Sequence, residues 1–500
     1  MTMGFDFDAI VIGGGAGGGA FAHACAAAGK TTLLLERGPR APTDRTSQDE
    51  RATLIEKRPY DDRSIAVNDI PSRLYMGGVL GGGTALYGGA LLRPCSDDFH
   101  PGKHYSTRLS RELWDWPIVY EQLAPYYDEA EALYRIAASS DESFGPLESP
   151  RTDRPHDLLP LAPINGRLME ANRARGLRPF RLPLAIDARL CERCASCAGF
   201  LCPNGARRSA AQIVDETEKL HPLRVMTNIE VVRLEKNAGG AIAGVVVRDR
   251  ATQSESRLRA RCYALAAGAI GSPAILLKSG FEGPHLGRNY MMHYNPIAIG
   301  VFAASTGADH TFVKQVGFAD FYFGTREIPE KMGLVQSLPA PGPLMLAKSG
   351  LKRWPERMLR FLRSRMLPLA GIVEDLPNPE NRVVVDADGS IGLKHEFSSF
   401  DRERGRALGR EMRRILRSAG AIVRMSRAFP SREHVAHQCG TLRFGVDPKH
   451  AVVDAECRMF GISNLFVVDG SVLPTSLGVG PTLTIVANAL RVGRAAVAGM

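Results

Sequence analysis

Apolar and polar positions along this chain follow two rhythms, and each predicts a different kind of element. Phe7-Asp8-Ala9-Ile10-Val11-Ile12 is a short apolar run that ends at Gly13, so it reads as a buried strand entering a tight turn. An alanine-rich helix follows to Ala28, Gly29 stops it, and a second strand runs from Thr31 to Leu35. Period-two alternation from Glu230 to Arg248, interrupted by Gly239-Gly240, predicts a hairpin. Leu408, Met412, Ile415 and Leu416 recur at helical spacing among Arg and Glu, giving a helix over Asp401 to Ala419 that Gly420 ends. A last apolar segment opens at Pro481, which suits a first helical turn because its missing N–H would be unpaired there anyway. The Pro-rich stretch from Pro146 to Pro163 reads as an extended surface loop. Lys352 to Arg365 is basic, with Trp354, Met358, Phe361 and Leu362 interleaved; it fits a solvated helix, or one that docks on a membrane or partner.

Composition narrows the class. A hydrophobic share of 44% and a charged share of 23% over 500 residues belong to an ordinary globular protein. No run of 18 apolar residues occurs, so no membrane-spanning helix is expected. The N-terminus has no basic region, apolar core and cleavage site in succession, which places the protein in the cytoplasm unless a partner subunit exports it. A net charge of +10 would suit nucleic acid, but no nucleic-acid motif accompanies it and aromatics are only 7%. Nine cysteines are too few for a disulfide scaffold, and four of them crowd between residues 191 and 202.

Two glycine-rich segments carry the candidate chemistry. Gly13, Gly15 and Gly18 fit G-x-G-x-x-G between a strand and a helix, with Ala16 and Gly17 inside the turn. In that setting the first glycine turns the chain, the second admits a pyrophosphate, and the third lets helix and strand pack. Phosphates would then face the helix N-terminus. Glu36 ends the second strand where an acid can accept hydrogen bonds from a ribose, and Arg37 follows it. The second loop, Met76 to Gly89, holds Gly82, Gly83, Thr84, Tyr87 and Gly88; so many glycines suit backbone pressed against a flat or charged ligand.

These loops, Gly268-Ala269-Ile270-Gly271-Ser272-Pro273, Gly287 to His293, Asn378 to Val383 and the block from His437 to Ile485 together resemble the glucose-methanol-choline (GMC) family of FAD oxidoreductases. Asp115-Trp116-Pro117-Ile118 with Pro125-Tyr126-Tyr127 is similar to its bacterial sugar and polyol dehydrogenases. The resemblance runs in order from residue 7 to about 495. It implies an α/β architecture: a Rossmann-like FAD-binding domain with an inserted α+β substrate domain, an antiparallel sheet flanked by helices. The FAD domain is expected over 1–100, 205–300 and 430–500, a cofactor-covering excursion over 101–204, and the substrate domain over 301–429. By resemblance Glu36 holds the adenosine ribose, Val231 meets the adenine through its backbone, and Gly82, Gly83, Thr84 and Tyr87 lie along pyrophosphate and flavin. Ala267, Gly268, Asp469, Gly470, Pro481 and Thr482 complete the cofactor contacts. No histidine lies within the second glycine loop, so FAD is expected to be noncovalent.

The resemblance also marks His437 as the base that takes a hydroxyl proton while flavin N5 takes the hydride, a task suited to a neutral imidazole. The helix at Pro481 would turn its positive end toward the flavin's N1–C2 edge. One departure stands out: the family usually carries Asn or His just before Pro-Thr-Leu-Thr, and here that position is Gly480. A backbone N–H, His434 or a substrate hydroxyl would have to replace it. The substrate is expected to be a small-molecule alcohol, with an acceptor protein, small subunit or quinone receiving the electrons. A non-oxidative lyase or decarboxylase, and an electron-transfer subunit, are the alternatives. Cys191, Cys194, Cys197 and Cys202 approach a ferredoxin run with one extra residue, and Cys202-Pro203-Asn204-Gly205-Ala206 resembles a segment near the iron–sulfur cluster of some sugar dehydrogenases. The same residues suit zinc, a disulfide or uncoordinated thiols.

Overall fold

In the computed structural model, which describes residues 5–42, 44–154, 157–428 and 432–500, the hydrophobic strands at the two ends of the chain meet in one sheet. Its five parallel strands run in the order Leu465–Val467, Ala260–Leu265, Phe7–Ile12, Thr32–Glu36 and Leu223–Thr227. Phe7–Ile12 is buried on both faces, which is why it reads as a continuous apolar run. Helices Ala16–Ala27 and Ala210–Leu220 pack on the sheet, and Thr482–Ala498 packs against the first of them. Close approach between the first and last of these depends on small residues: a Cβ on Gly493 would stand 2.8 Å from that of Ala24. The hairpin Ile229–Lys236 and Ile242–Asp249 forms with the expected connection, and a third strand, Glu255–Leu258, extends it.

A second layer is a six-stranded sheet, Val423–Ala428, Pro296–Val301, Met366–Gly371, Val335–Ser337, Val316–Phe318 and Phe180–Arg181, with all neighbouring strands antiparallel. Helix Ser399–Ser418 packs on it. Ser398 caps that helix by accepting from Asp401 N at 3.1 Å, while the Asp401 carboxylate accepts from Ser398 N at 2.9 Å. Leu408, Met412, Ile415 and Leu416 are fully buried, each worth about 1.5–3 kcal/mol of apolar transfer. Gly420, at φ +90°, ends the helix. This sheet also draws on residues 101–204, because Phe180–Arg181 pairs with Val316–Phe318. Ile391–Lys394 in turn pairs with Ser64–Val67 from the first segment. The expected boundary at 430 lies outside the described residues.

The Pro-rich stretch differs from its expectation. Leu147, Leu158, Leu159 and Ala162 are buried, and Pro163 opens helix Pro163–Arg173 instead of closing a loop. Helix Glu356–Arg363 anchors itself through buried Leu359 and half-buried Leu362, leaving Trp354, Met358 and Phe361 exposed. Among the described residues no helix is long and apolar enough to cross a membrane.

A buried ion network ties these layers together. Lys331 Nζ pairs with Asp98 and with Glu374 Oε2 (2.5 Å), and all three side chains have no exposure. Burial opposes the lysine's charge, but the two carboxylates outweigh burial and hold its pKa above the usual value. Arg404, equally buried, donates to Glu374 O (2.7 Å), Lys331 O (2.9 Å) and Asp401 Oδ1 (2.6 Å). Replacing Lys331 with Met strands two carboxylates in the interior. Urea unfolding of Lys331→Met should show a loss of about 3–5 kcal/mol.

Candidate active site

The first glycine turn is shaped by backbone contacts. A Cβ on Gly13 would strike Ala266 O, one on Gly17 would strike Val468 O, and one on Gly18 would strike Gly13 O. Gly13 also sits at φ +107°, a conformation that favours glycine. Gly15 and Gly83 behave differently: a Cβ on either would meet nothing within 4 Å. Both border a cavity of about 2200 Å³, well above the roughly 300–1,000 Å³ of a single small-molecule pocket. Room for a dinucleotide and a substrate together is therefore present.

The structure brings nearly every expected site residue to this cavity. Gly13, Gly15, Ala16, Gly17, Glu36, Arg37, Gly82, Gly83, Thr84, Tyr87, Gly88, Val231, Ala267, Gly268, Asp469, Gly470, Gly480, Pro481, Thr482 and His437 all line it. Gly18 does not; its part is the close packing of helix on strand. Several side chains are also engaged with the protein itself. Glu36 accepts from Gly14 N (2.8 Å) and Gly38 N (2.7 Å), and burial raises its pKa against these bonds. Asp469 accepts from Gly268 N (2.8 Å), Ser272 Oγ (2.5 Å) and Ser471 N (2.8 Å), so it fastens the start of helix Gly268–Lys278. Thr84 Oγ1 donates to Gly81 O (2.6 Å) and accepts from Ala210 N (2.9 Å). Arg37 is held by Asp61, Asp62 and Glu230. Val231 stands beside a register shift in its hairpin, which bends the strand at the cavity wall. Helix Thr482–Ala498 presents its first turn to the cavity, with Pro481 as the residue before it.

His437 is the chemical centre of the cavity's other half. Its Nδ1 lies 2.9 Å from Nδ1 of His293, whose Nε2 lies 2.8 Å from the Leu477 carbonyl. The carbonyl can only accept, so His293 Nε2 carries the proton. Burial pushes His293 down to about 4, which keeps it neutral and leaves its Nδ1 as an acceptor. His437 Nδ1–H must then donate, and His437 Nε2 keeps a free lone pair. That atom would be 3.3 Å from a Cβ on Gly480, so the lone pair looks across the glycine position. Burial, then the charges of His293, Lys314 and His434, hold His437 well below the usual histidine value. Both ends of this chain are strained: His437 has φ +62° and Leu477 φ +67°. Such backbone costs on the order of 1–3 kcal/mol per residue and collects at functional sites. His293 was legible in sequence only as part of the Gly287 to His293 segment; nothing there pointed to its partner.

The cysteine run does not form the expected cluster. Cys191, Cys194, Cys197 and Cys202 border one small pocket, yet among the described residues no three His, Cys, Asp or Glu side chains converge to hold a metal. Left-handed residues at Arg193, Ala195, Ala198 and Gly199 turn the backbone between the sulfurs, so sequence spacing is not converted into convergence. Cys194 Sγ accepts from Gln48 Nε2 (3.3 Å), and Cys202 Sγ accepts from Arg207 N (3.4 Å). No disulfide joins any of the nine cysteines, and the described residues give the iron–sulfur reading no support.

Comparison with known proteins agrees with this geometry. Family profiles described as GMC oxidoreductase match residues 7–295 and 377–489. The chain is 31% identical over 441 residues to a 6'''-hydroxyparomomycin C oxidase of Streptomyces lividus, covering 83% of this chain and 78% of that protein. It is 26% identical to the fructose dehydrogenase large subunit of Gluconobacter japonicus, over 97% of this chain and 96% of that one. Its fold is that of pyridoxine 4-oxidase from Mesorbium loti (TM-score 0.68, 20% identity, 98% of each chain) and of formate oxidase (TM-score 0.70, 15% identity, 100% of this chain and 99% of that one).

The depressed pKa values set two pH dependences. A base at His437 would work unprotonated, so kcat/KM should then stay flat through pH ~6.5, where an ordinary histidine titrates, and fall only at lower pH. His293 refuses a proton that the unfolded chain accepts, so unfolding free energy should drop as pH falls from about 6.5 toward the folded value of about 4. A pH series of steady-state rates and of urea midpoints checks both. From the two profile matches, the glycine cradle and the paired histidines, the chain belongs to the GMC oxidoreductase family and is a flavin-dependent oxidoreductase.

Proposed function

We propose that the protein oxidises a hydroxyl group of a sugar, polyol or glycoside, with His437 as the general base and FAD held noncovalently. The observation that carries this reading is the free Nε2 lone pair of His437, beside Gly480 in a cavity that the glycine cradle also lines. When bound, FAD supplies the acceptor for the hydride released from the carbinol carbon. The open positions at Gly15, Gly83 and Gly268 fit its phosphates and ring, since a Cβ there would meet no atom within 4 Å.

The protein's share of the reaction follows from its own groups. His437 Nε2 takes the hydroxyl proton as the C–H bond breaks, and the cation formed keeps its Nδ1–H bond to His293. Helix Thr482–Ala498 turns free N–H groups toward the cavity, and their partial positive charge favours electron density arriving there. Apolar walls at Ile297, Leu338, Met345 and Met366 keep water from competing for the base. Carbohydrate-directed names among the relatives, the paromomycin-type oxidase and the fructose dehydrogenase subunit, support the substrate class. Electrons then leave to an acceptor outside the chain.

Anaerobic mixing of the flavin-loaded protein with fructose, glucose, sorbitol and simple glycosides tests this directly. At least one should bleach the visible flavin band, and His437→Ala should slow the bleaching by about 10²–10⁴-fold. Unchanged bleaching in that variant, or none with any compound of the panel, would falsify the reading.

A further inference from the structure

Gly480 leaves the reacting oxygen without a side-chain donor, and the cavity holds a group that nothing so far has used. Lys314 precedes strand Val316–Phe318, on a loop clamped by Ser337, whose Oγ accepts from Gln315 N and Val316 N (3.0 Å each) and donates to Val313 O (2.7 Å). The clamp carries the lysine into the cavity, over Gly88, where a Cβ would stand 2.6 Å from Nζ. Glycine at 88 is what admits it.

Lys314 is only 8% exposed, and its Nζ makes no hydrogen bond or ion pair among the described residues. The acids of the cavity are all engaged elsewhere. Glu36 and Asp469 are bound to backbone N–H groups, Glu50 accepts from Leu344 N and Met345 N, and Glu433 pairs with Lys57 and Lys348. Asp61 and Glu230 face Arg37. Gln336, from the adjacent strand and 7% exposed, faces the same cavity, also with no side-chain hydrogen bond. A buried ammonium without a partner is costly, and a ligand oxygen would complete it. The charge of Lys314 also reaches His437, so the two groups act on one region.

We propose that Lys314 binds the substrate: its ammonium donates a hydrogen bond to the oxygen that gives its proton to His437, and its charge selects neutral or anionic hydroxylated compounds over cationic aminosugars. The inference rests on the function proposed above. No proton passes through the lysine; the hydroxyl proton goes to His437 Nε2, and Lys314 keeps all of its own.

Acetate, a small oxyanion, is the probe, and the visible spectrum of the flavin-loaded protein is the readout. Near pH 7 acetate should perturb the spectrum saturably, and ethylammonium should not. Lys314→Met should weaken acetate binding by about 10- to 100-fold, the loss of one charge-assisted hydrogen bond. Burial lowers Lys314 to about 8, while Cys197, beside it, is pushed up to about 11 and His437 is already neutral. Acetate binding by the unaltered protein should therefore weaken as pH rises through about 8, which decides the matter even if the variant fails to load flavin. Equal acetate affinity in protein and variant, an absent response, or a response indifferent to pH would overturn the proposal. Alcohol-driven bleaching that persists alongside such a result would leave the oxidase reading standing and remove only Lys314 from it.

Discussion

Two neutral imidazoles can place only one proton between facing nitrogens, and the choice made at His293 and His437 decides what the cavity sees. The Leu477 carbonyl makes that choice, because it accepts and never donates. Without that carbonyl His293 could carry its proton on Nδ1 instead, and the tautomer of His437 would no longer be fixed. The strained φ values of His437 and Leu477 hold the two outer members of the chain in place, and the surrounding fold must supply the energy to keep them there.

That support comes through a buried polar scaffold. Arg404, on the helix over the antiparallel sheet, grips the backbone of Lys331 and Glu374. The next residue, Asp375, receives Met292 N (3.1 Å) and lies 3.0 Å from His395 Nε2, and its backbone exchanges hydrogen bonds with Ser476. Met292 precedes His293 and Ser476 precedes Leu477, so the network reaches both neighbours of the proton relay. Burial lifts Asp375 to about 6 even with His395 beside it, a measure of how little water enters this layer. Stability and chemical alignment are thus carried by the same hydrogen bonds.

What could be read from sequence was whatever local chemistry dictates. The strand, Gly13 turn and helix are contiguous, and the glycines announce their own backbone requirements. Helix Ser399–Ser418 was legible from its stripe of Leu408, Met412, Ile415 and Leu416; its start shifted by two residues to Ser399, behind the Ser398 cap, and its end by one to Ser418. The His293–His437 pair spans 144 residues, and no periodicity encodes such a meeting. Lys314 looks in sequence like any surface lysine; its burial depends on Gly88 and Ser337, both distant. Strands Val316–Phe318 and Val335–Ser337 are too short for alternation to reveal. The cysteine run left several readings open in sequence, since spacing constrains how far sulfurs can be apart but not which way they point.

The cradle's two walls are built from opposite ends of the polypeptide. Strand Phe7–Ile12 is flanked by Ala260–Leu265, which in turn pairs with Leu465–Val467 at its far side, and the wall beside His437 comes from Gly480 to Thr482. A nascent chain emerging from the ribosome therefore exposes its first βαβ unit long before the segments that enclose it exist. Capture of the dinucleotide waits until about residue 482 has been released from the exit tunnel, and until then the apolar faces of the early strands need shelter from one another.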